Sequence, residues 1–180
     1  MKSNFSIAFI LFFLLSSMGC TSEQRSSEDF LELEEISTSK SVDNEGRKVE
    51  SYRVASDSLS YECFSRKGIS GTNEENILYV DFRIRQLKNQ NDFFNTLFLN
   101  EFERQSLVEE LQFRGIEKFA LVSNSDTIAP HIYHFETSHG LSPFVTFLLG
   151  FDLTELNESN YELNFGHPKF EGGKKIKVKL

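Results

Sequence analysis

Residues 118–152 read KFALVSNSDTIAPHIYHFETSHGLSPFVTFLLGFD, and this stretch constrains the chain more than any other. Three apolar, Phe-rich runs are cut by Ser/Asn/Asp, Pro and Gly. Short apolar runs between turn residues are the pattern of consecutive strands in a sheet core. The expected strands are 119–122, 127–128, 132–137 and 144–151, with a hairpin-type connection at 123–126. Pro130 and Pro143 sit at strand beginnings, where no ladder donor is lost. In the last run Val145, Phe147, Leu149 and Phe151 share one face, and Phe144, Thr146 and Leu148 share the other. Both faces are mostly apolar, so this strand is expected to be central and covered on both sides.

The flanking sequence is built in the same way. Residues 49–54 and 59–66 read as strands joined by Ser56-Asp57-Ser58. Residues 77–87 alternate cleanly, with Leu78, Val80, Phe82 and Ile84 on one face and Tyr79, Asp81, Arg83 and Arg85 on the other. That is a strand with one buried and one wet face. Arg83 and Arg85 read as solvated residues paired with acids across the strand, or as an anion-binding row. Residues 91–103 fit either a capped helix or a strand. Phe102, Leu107, Val108 and Leu111 fall near helical spacing among good helix formers, which predicts one short helix over 101–111 with Gly115 as its stop. The chain closes on Gly172-Gly173 and KKIKVKL, a turn and a strand whose lysines blunt a sheet edge or meet an anionic lipid or glycan. The chain has 19 Phe and 5 Tyr but no Trp, which favours half-buried pleated surfaces.

The first twenty residues are of another kind: MKSNFSIAFILFFLLSSMGC. Lys2 precedes an apolar run, 5–15, that is too short for a comfortable membrane span. Ser17-Met18-Gly19-Cys20 follows. This resembles the lipobox of bacterial lipoproteins, with Gly19 and Cys20 at its most demanding positions; Ser17 and Met18 depart from the usual residues. The resemblance implies lipidation at Cys20, cleavage before it, and a membrane partner through the lipid. Thr21, in place of an inner-membrane-retaining aspartate, points to the outer membrane. With Cys20 lipidated, Cys63 has no intramolecular partner, and the fold rests on its core and not on a disulfide. Residues 20–46 begin polar and acidic and are expected to form a flexible tether, with Leu31, Leu33 and Ile36 opening a short strand at most.

Leu156 and Tyr161, in LNESNYEL, resemble the tyrosine corner of immunoglobulin-like and fibronectin-III-like sandwiches, one residue short of the usual fibronectin spacing. The expected fold is therefore an all-β, immunoglobulin-like β-sandwich of seven to nine strands with one short inserted helix. The expected division is a signal peptide 1–19, a tether 20–46 and a sandwich domain 47–180.

Chemistry is sparse. His131, His134, Glu136 and His139 are the only grouping with metal-ligand character. On a strand His131 and His134 point to opposite faces, so His134, Glu136 and His139 are the candidate ligands. There is no GxSxG, no HExxH, no P-loop and no GxGxxG. Asp126-Thr127-Ile128 lacks the glycine of an aspartic-protease loop. Cys63 alternates with Leu59 and Tyr61 and reads as a small buried hydrophobe. The formal net charge of −8 opposes nucleic-acid binding, which needs clustered Lys/Arg. The expectation is a non-enzymatic, lipid-anchored envelope module without a cofactor, meeting an envelope protein or glycan through loops 68–76, 138–143 and 166–173. The alternatives are a metal-dependent or metal-handling lipoprotein using the His134/Glu136/His139 region, and a structural protein that docks a sheet edge onto a partner.

Overall fold

The structure is a computed structural model that describes residues 30–31, 33–44, 46–88, 92–97, 100–124, 126–136, 142–154, 156 and 160–180. The leader, Cys20, His139 and the part of the tether before Phe30 lie outside the described residues.

Among the described residues ten strands, one more than the seven to nine expected, form two antiparallel sheets, the all-β sandwich expected. They are β1 (Glu34–Val42), β2 (Lys48–Ala55), β3 (Leu59–Lys67), β4 (Ile77–Gln86), β5 (Phe119–Ser123), β6 (Asp126–Ile128), β7 (Ile132–Glu136), β8 (Phe144–Asp152), β9 (Glu162–Gly166) and β10 (Lys175–Lys179). The larger sheet runs β1-β2-β3-β4-β8-β7 and the smaller β10-β9-β5-β6. One helix, α1 (Glu101–Arg114), is inserted between β4 and β5.

The sheets pack through phenylalanine. Phe82 of β4 and Phe147 of β8 meet Phe119 of β5 and Phe165 of β9. Phe82 lies 5.4 Å from Phe119 and 5.2 Å from Phe165 between ring centroids, and Phe119 lies 5.1 Å from Phe147. All four side chains are buried. Period-two alternation creates this layer: Leu78, Val80, Phe82 and Ile84 face Phe151, Leu149, Phe147 and Val145 in register on one side of the larger sheet. Cys63 is free and fully buried on the same face, and burial pushes its thiol far above the usual range. It is the core residue its alternation predicts.

Four expectations need correction. The tether segment 20–46 contains β1, paired antiparallel to β2 from Glu34↔Ala55 to Val42↔Lys48. It carries almost no apolar pattern and is held as a strand by that ladder. Second, the ambiguous stretch 91–103 divides: Phe93–Leu97 is a 3-10 helix, and α1 starts after Asn100. The Asn100 side chain accepts from the Glu103 amide at 2.9 Å, and the Glu103 carboxylate accepts from the Asn100 amide at 3.2 Å. This reciprocal capping box fixes the helix start. Third, Phe102 is not on the buried stripe. It is 81% exposed, while Leu107 and Leu111 face the core. Fourth, β8 has β7, an edge strand, on one side, and its outer residues Phe144 and Leu148 are only half-buried.

The helix is pinned at its end. The Tyr133 hydroxyl donates to the Leu111 carbonyl. Gly115 follows, and a Cβ there would stand 1.9 Å from that hydroxyl, so the helix ends on a residue whose lack of a side chain permits the approach. A second polar link joins the sheets. The Glu171 carboxylate accepts from Ser56 in the β2–β3 turn and from the buried Tyr61 hydroxyl at 3.1 Å. Glu171 adopts φ 46°, beside Gly172 and Gly173 at 66° and 85°, so the β9–β10 loop is bent to deliver this carboxylate.

Two substitutions separate core from cap. Phe82→Ala is expected to lower the unfolding free energy by about 3–5 kcal/mol. Asn100→Ala is expected to lower it by about 0.5–2 kcal/mol. Urea denaturation of the purified protein reads both, and an Asn100→Ala cost equal to that of Phe82→Ala would contradict this ranking.

Candidate binding cleft

The inner face of the larger sheet changes character along its length. On β2 the inward residues run Lys48, Glu50, Tyr52, Val54. On β3 they run Leu59, Tyr61, Cys63, Ser65, Lys67. Apolar positions lie under the smaller sheet, and polar ones begin where that cover stops. The uncovered end forms a cleft of about 660 Å³, within the usual range of ligand pockets, roughly 300–1,000 Å³.

Its apolar part is Leu78, Tyr161, Leu180 and Ile69, the last 46% exposed. Its polar wall is Lys48, Glu50, Ser65 and Lys67. Glu50 is engaged: Lys40 Nζ lies 2.8 Å from one carboxylate oxygen, and the Tyr52 hydroxyl donates to the other at 3.2 Å. The Lys40 hydrogen bond holds the Glu50 carboxyl below its ordinary range against the opposing effect of burial. At the rim Arg47 is paired with Asp43 at 2.6 Å. The loop after β3 completes the cleft. Gly68 donates to the Ile77 carbonyl at 2.8 Å. A Cβ on Gly68 would meet the Glu74 carbonyl oxygen at 1.8 Å, so the tight fold-back of this loop requires glycine.

The cleft and the point where the chain joins the sandwich lie at opposite ends. Phe30 bridges in parallel to Lys175, at the start of β10, whereas Leu180 at the cleft follows the end of β10. β1 likewise starts beside Ala55 and finishes beside Lys48. At about 3.3 Å per residue, its nine residues carry the chain roughly 26 Å toward the cleft.

The sequence-predicted residues separate accordingly. Gly68, Ile69 and Ser70 of loop 68–76 line the cleft. Loop 166–173 is at the opposite end, committed to the Glu171 links. Of 138–143 only Ser142 and Pro143 are described, also at that end, where the Ser142 carbonyl accepts from Phe93 and the Pro143 carbonyl from Gln86. Tyr161 is buried immediately before β9, and its carbonyl accepts from Leu180 at 2.9 Å. His134 and Glu136 point outward together from β7 and are exposed. His139 is not described, and among the described residues no three His/Cys/Asp/Glu side chains are grouped for a metal. Arg83 and Arg85 have the structural role. With Arg53 they surround Glu62, at 3.9, 3.7 and 3.4 Å. Lys175 and Lys177 lie over the Phe30 ring, and Lys177 also pairs with Glu162.

The buried histidine is the fourth one, His167. Its Nδ1 accepts from the Lys169 amide at 3.1 Å, and its Nε2 lies 3.5 Å from Glu110, which also pairs with Lys118 at 3.3 Å. Sequence reasoning passed over both His167 and the cleft. The usable signal for the cleft was the polar end of the inward alternation on β2 and β3.

No protein-family model matches the chain, and neither a curated protein nor a solved structure matches it significantly. Among the described residues no helix is long and apolar enough to cross a membrane.

Burial pushes the His167 imidazole below its ordinary pKa, overriding the opposite pull of Glu110; Lys118 and Lys169 act with burial. The fold therefore holds it neutral, while the unfolded chain takes up the proton near pH 6.5. Its contribution to stability is complete above about pH 6.5 and is lost as pH falls from there toward the lower folded value. Unfolding free energies measured from pH 7 to 5 should decline in the parent, with a shallower slope in His167→Gln. Equal slopes would remove His167 from this role.

Proposed function

We propose that this protein is a lipid-anchored, non-enzymatic binding module of the bacterial cell envelope, held at the outer membrane through Cys20, with the Lys48/Lys67 cleft turned away from the bilayer. The carrying observation is the opposition of chain attachment and cleft. From Cys20 to Phe30 the chain reaches at most about 35 Å. The end of the sandwich that receives it holds the Ser56, Glu171 and Pro143 loops. The other end offers an open cleft, and loops at one end of a β-sandwich are a common place for recognition. That last support is analogy of architecture, and fold alone does not fix function.

The localisation arm is direct. Full-length protein should fractionate with the outer membrane and incorporate labelled fatty acid, and Cys20→Ala should abolish the labelling. Label retained in Cys20→Ala would overturn the anchor. For the binding arm, affinity capture of the tagged full chain from cross-linked envelopes should recover a partner that is lost in Lys48→Glu/Lys67→Glu. Recovery that is indifferent to those substitutions would move the binding surface elsewhere.

A metal-handling reading has one observation in its favour, the shared outward face of His134 and Glu136. Zinc lowers into four-coordinate sites built from such ligands. The binding-module reading expects the purified chain to melt at the same temperature with and without chelator. Near-stoichiometric transition metal, lost in His134→Ala, would replace it.

A further inference from the structure

We infer that the cleft takes a single-chain amphiphile with a carboxylate or phosphate headgroup, the headgroup seated between Lys48 and Lys67 and the chain laid along Leu78, Tyr161 and Leu180. This names a ligand for the binding module proposed above and rests on that reading.

The register supplies the first argument. The β2–β3 ladder closes at Val49↔Arg66, and Lys48 and Lys67 are the residues just beyond it, both on the inward face by alternation. Like charges brought together across two strands weaken a sheet. Neither lysine forms an ion pair with a carboxylate among the described residues. The acids nearby are already engaged. Glu50 serves Lys40 and Tyr52, Asp43 serves Arg47, and Asp81 serves Arg66 at 3.0 Å. Glu75 accepts from the Gly71 amide at 2.9 Å and from the Ser70 hydroxyl at 3.2 Å. Lys48 reaches only Glu50, which Lys40 already holds, and Lys67 has no carboxylate partner, so in a chain whose net charge is −8 cations outnumber anions at the mouth of this cleft. An external anion between the two lysines supplies the missing counter-charge.

The second argument is the wall below. Leu78 is the cross-strand partner of Lys67 and is buried, so an apolar surface begins one strand away from the ammonium groups. It continues through Tyr161 to Leu180, with Ile69 overhanging from the loop. A headgroup alone leaves this surface wet, and a neutral chain leaves the lysines unpaired. A molecule with both parts satisfies both.

The test uses the full chain in phosphatidylcholine nanodiscs, titrated calorimetrically with octanoate and with octyl phosphate, with empty discs subtracted. Octanol and inorganic phosphate serve as the chain-only and head-only probes. At least one octyl anion should bind saturably, and the two titrations tell which headgroup is preferred. Both octanol and phosphate should bind at least tenfold more weakly. Lys67→Glu should weaken the octyl anion at least tenfold while leaving the melting temperature unchanged or higher, because it converts a like pair into an opposite pair. Ile69→Asp, at an exposed loop position, should weaken binding without loss of fold. No saturable binding, equal binding by Lys67→Glu, or phosphate binding as tightly as the octyl anions would each overturn the inference. If the octyl anions fail while envelope capture still depends on Lys48 and Lys67, the binding module stands and only the ligand class falls.

Discussion

The contact between Phe82, Phe147, Phe119 and Phe165 is the interaction on which the rest of this molecule depends. Two rings come from the larger sheet and two from the smaller, and every centroid separation among the named contacts lies within the range of favourable aromatic pairing. Each such pair adds about 0.5–1.5 kcal/mol beyond the area it buries. The rings also reach outward in both directions. Phe135 packs on Phe147 at 5.0 Å from the edge strand β7, and Phe170 packs on Phe165 at 5.7 Å from the β9–β10 loop. Loop position is thereby tied to core packing. The Glu171 carboxylate, one residue beyond Phe170, meets Ser56 and Tyr61 because Phe170 is already fixed.

Because the core is concentrated in the middle and toward the Glu171 end, the sandwich has unlike ends. One end is closed by Glu171, by the 3-10 helix carrying Phe93, and by the chain entering at Phe30. At the other, the smaller sheet stops before the larger one does, and the inward positions turn from Tyr and Val to Glu and Lys. A cleft there follows from unequal sheet lengths. The left-handed backbone at this end falls on glycines, Gly46 and Gly71, and Gly68 permits the close fold-back of the loop.

The sequence made the strands of residues 118–152, β2, β3, β4 and the helix legible, since each carries a period set by burial on one face. β1 was not legible. EEISTSKSV offers only two large apolar residues, Ile36 and Val42, both exposed, and its strand state comes from β2 and from hydroxyl and charge pairs such as Ser39–Ser51 and Lys40–Glu50. Phe102 misled for the opposite reason: helical spacing names a face but cannot say which side of a short helix meets the core. The cleft was hidden because Lys48 and Lys67 lie nineteen positions apart in sequence and meet only through the β2–β3 register. His167 was hidden because it packs against Glu110 of α1, remote in sequence, and against the Phe170 ring of its own loop, with no strand or helix period to mark it.

The outer face of the larger sheet contrasts with the cleft proposed above as a binding site. Among the described residues no second layer covers this face, yet it carries Phe64, Tyr79 and Phe144. Guanidinium groups cover them. Arg83 lies 5.4 Å from the Phe64 ring and 4.7 Å from Phe144, Arg85 lies 4.8 Å from Phe144, and Arg66 lies 5.6 Å from Tyr79. The same arginines are anchored by Glu62 and Asp81, so each is held by a ring on one side and a carboxylate on another. An incoming anion would have to displace a carboxylate already placed for them, and an apolar partner would have to displace the arginines. At the cleft Lys67 has no carboxylate partner, Lys48 shares Glu50 with Lys40, and Ile69 is 46% exposed. The difference between these two cationic surfaces is thus one of satisfaction and not of charge, and it is the ground on which the cleft, and not the arginine row, is proposed as a site.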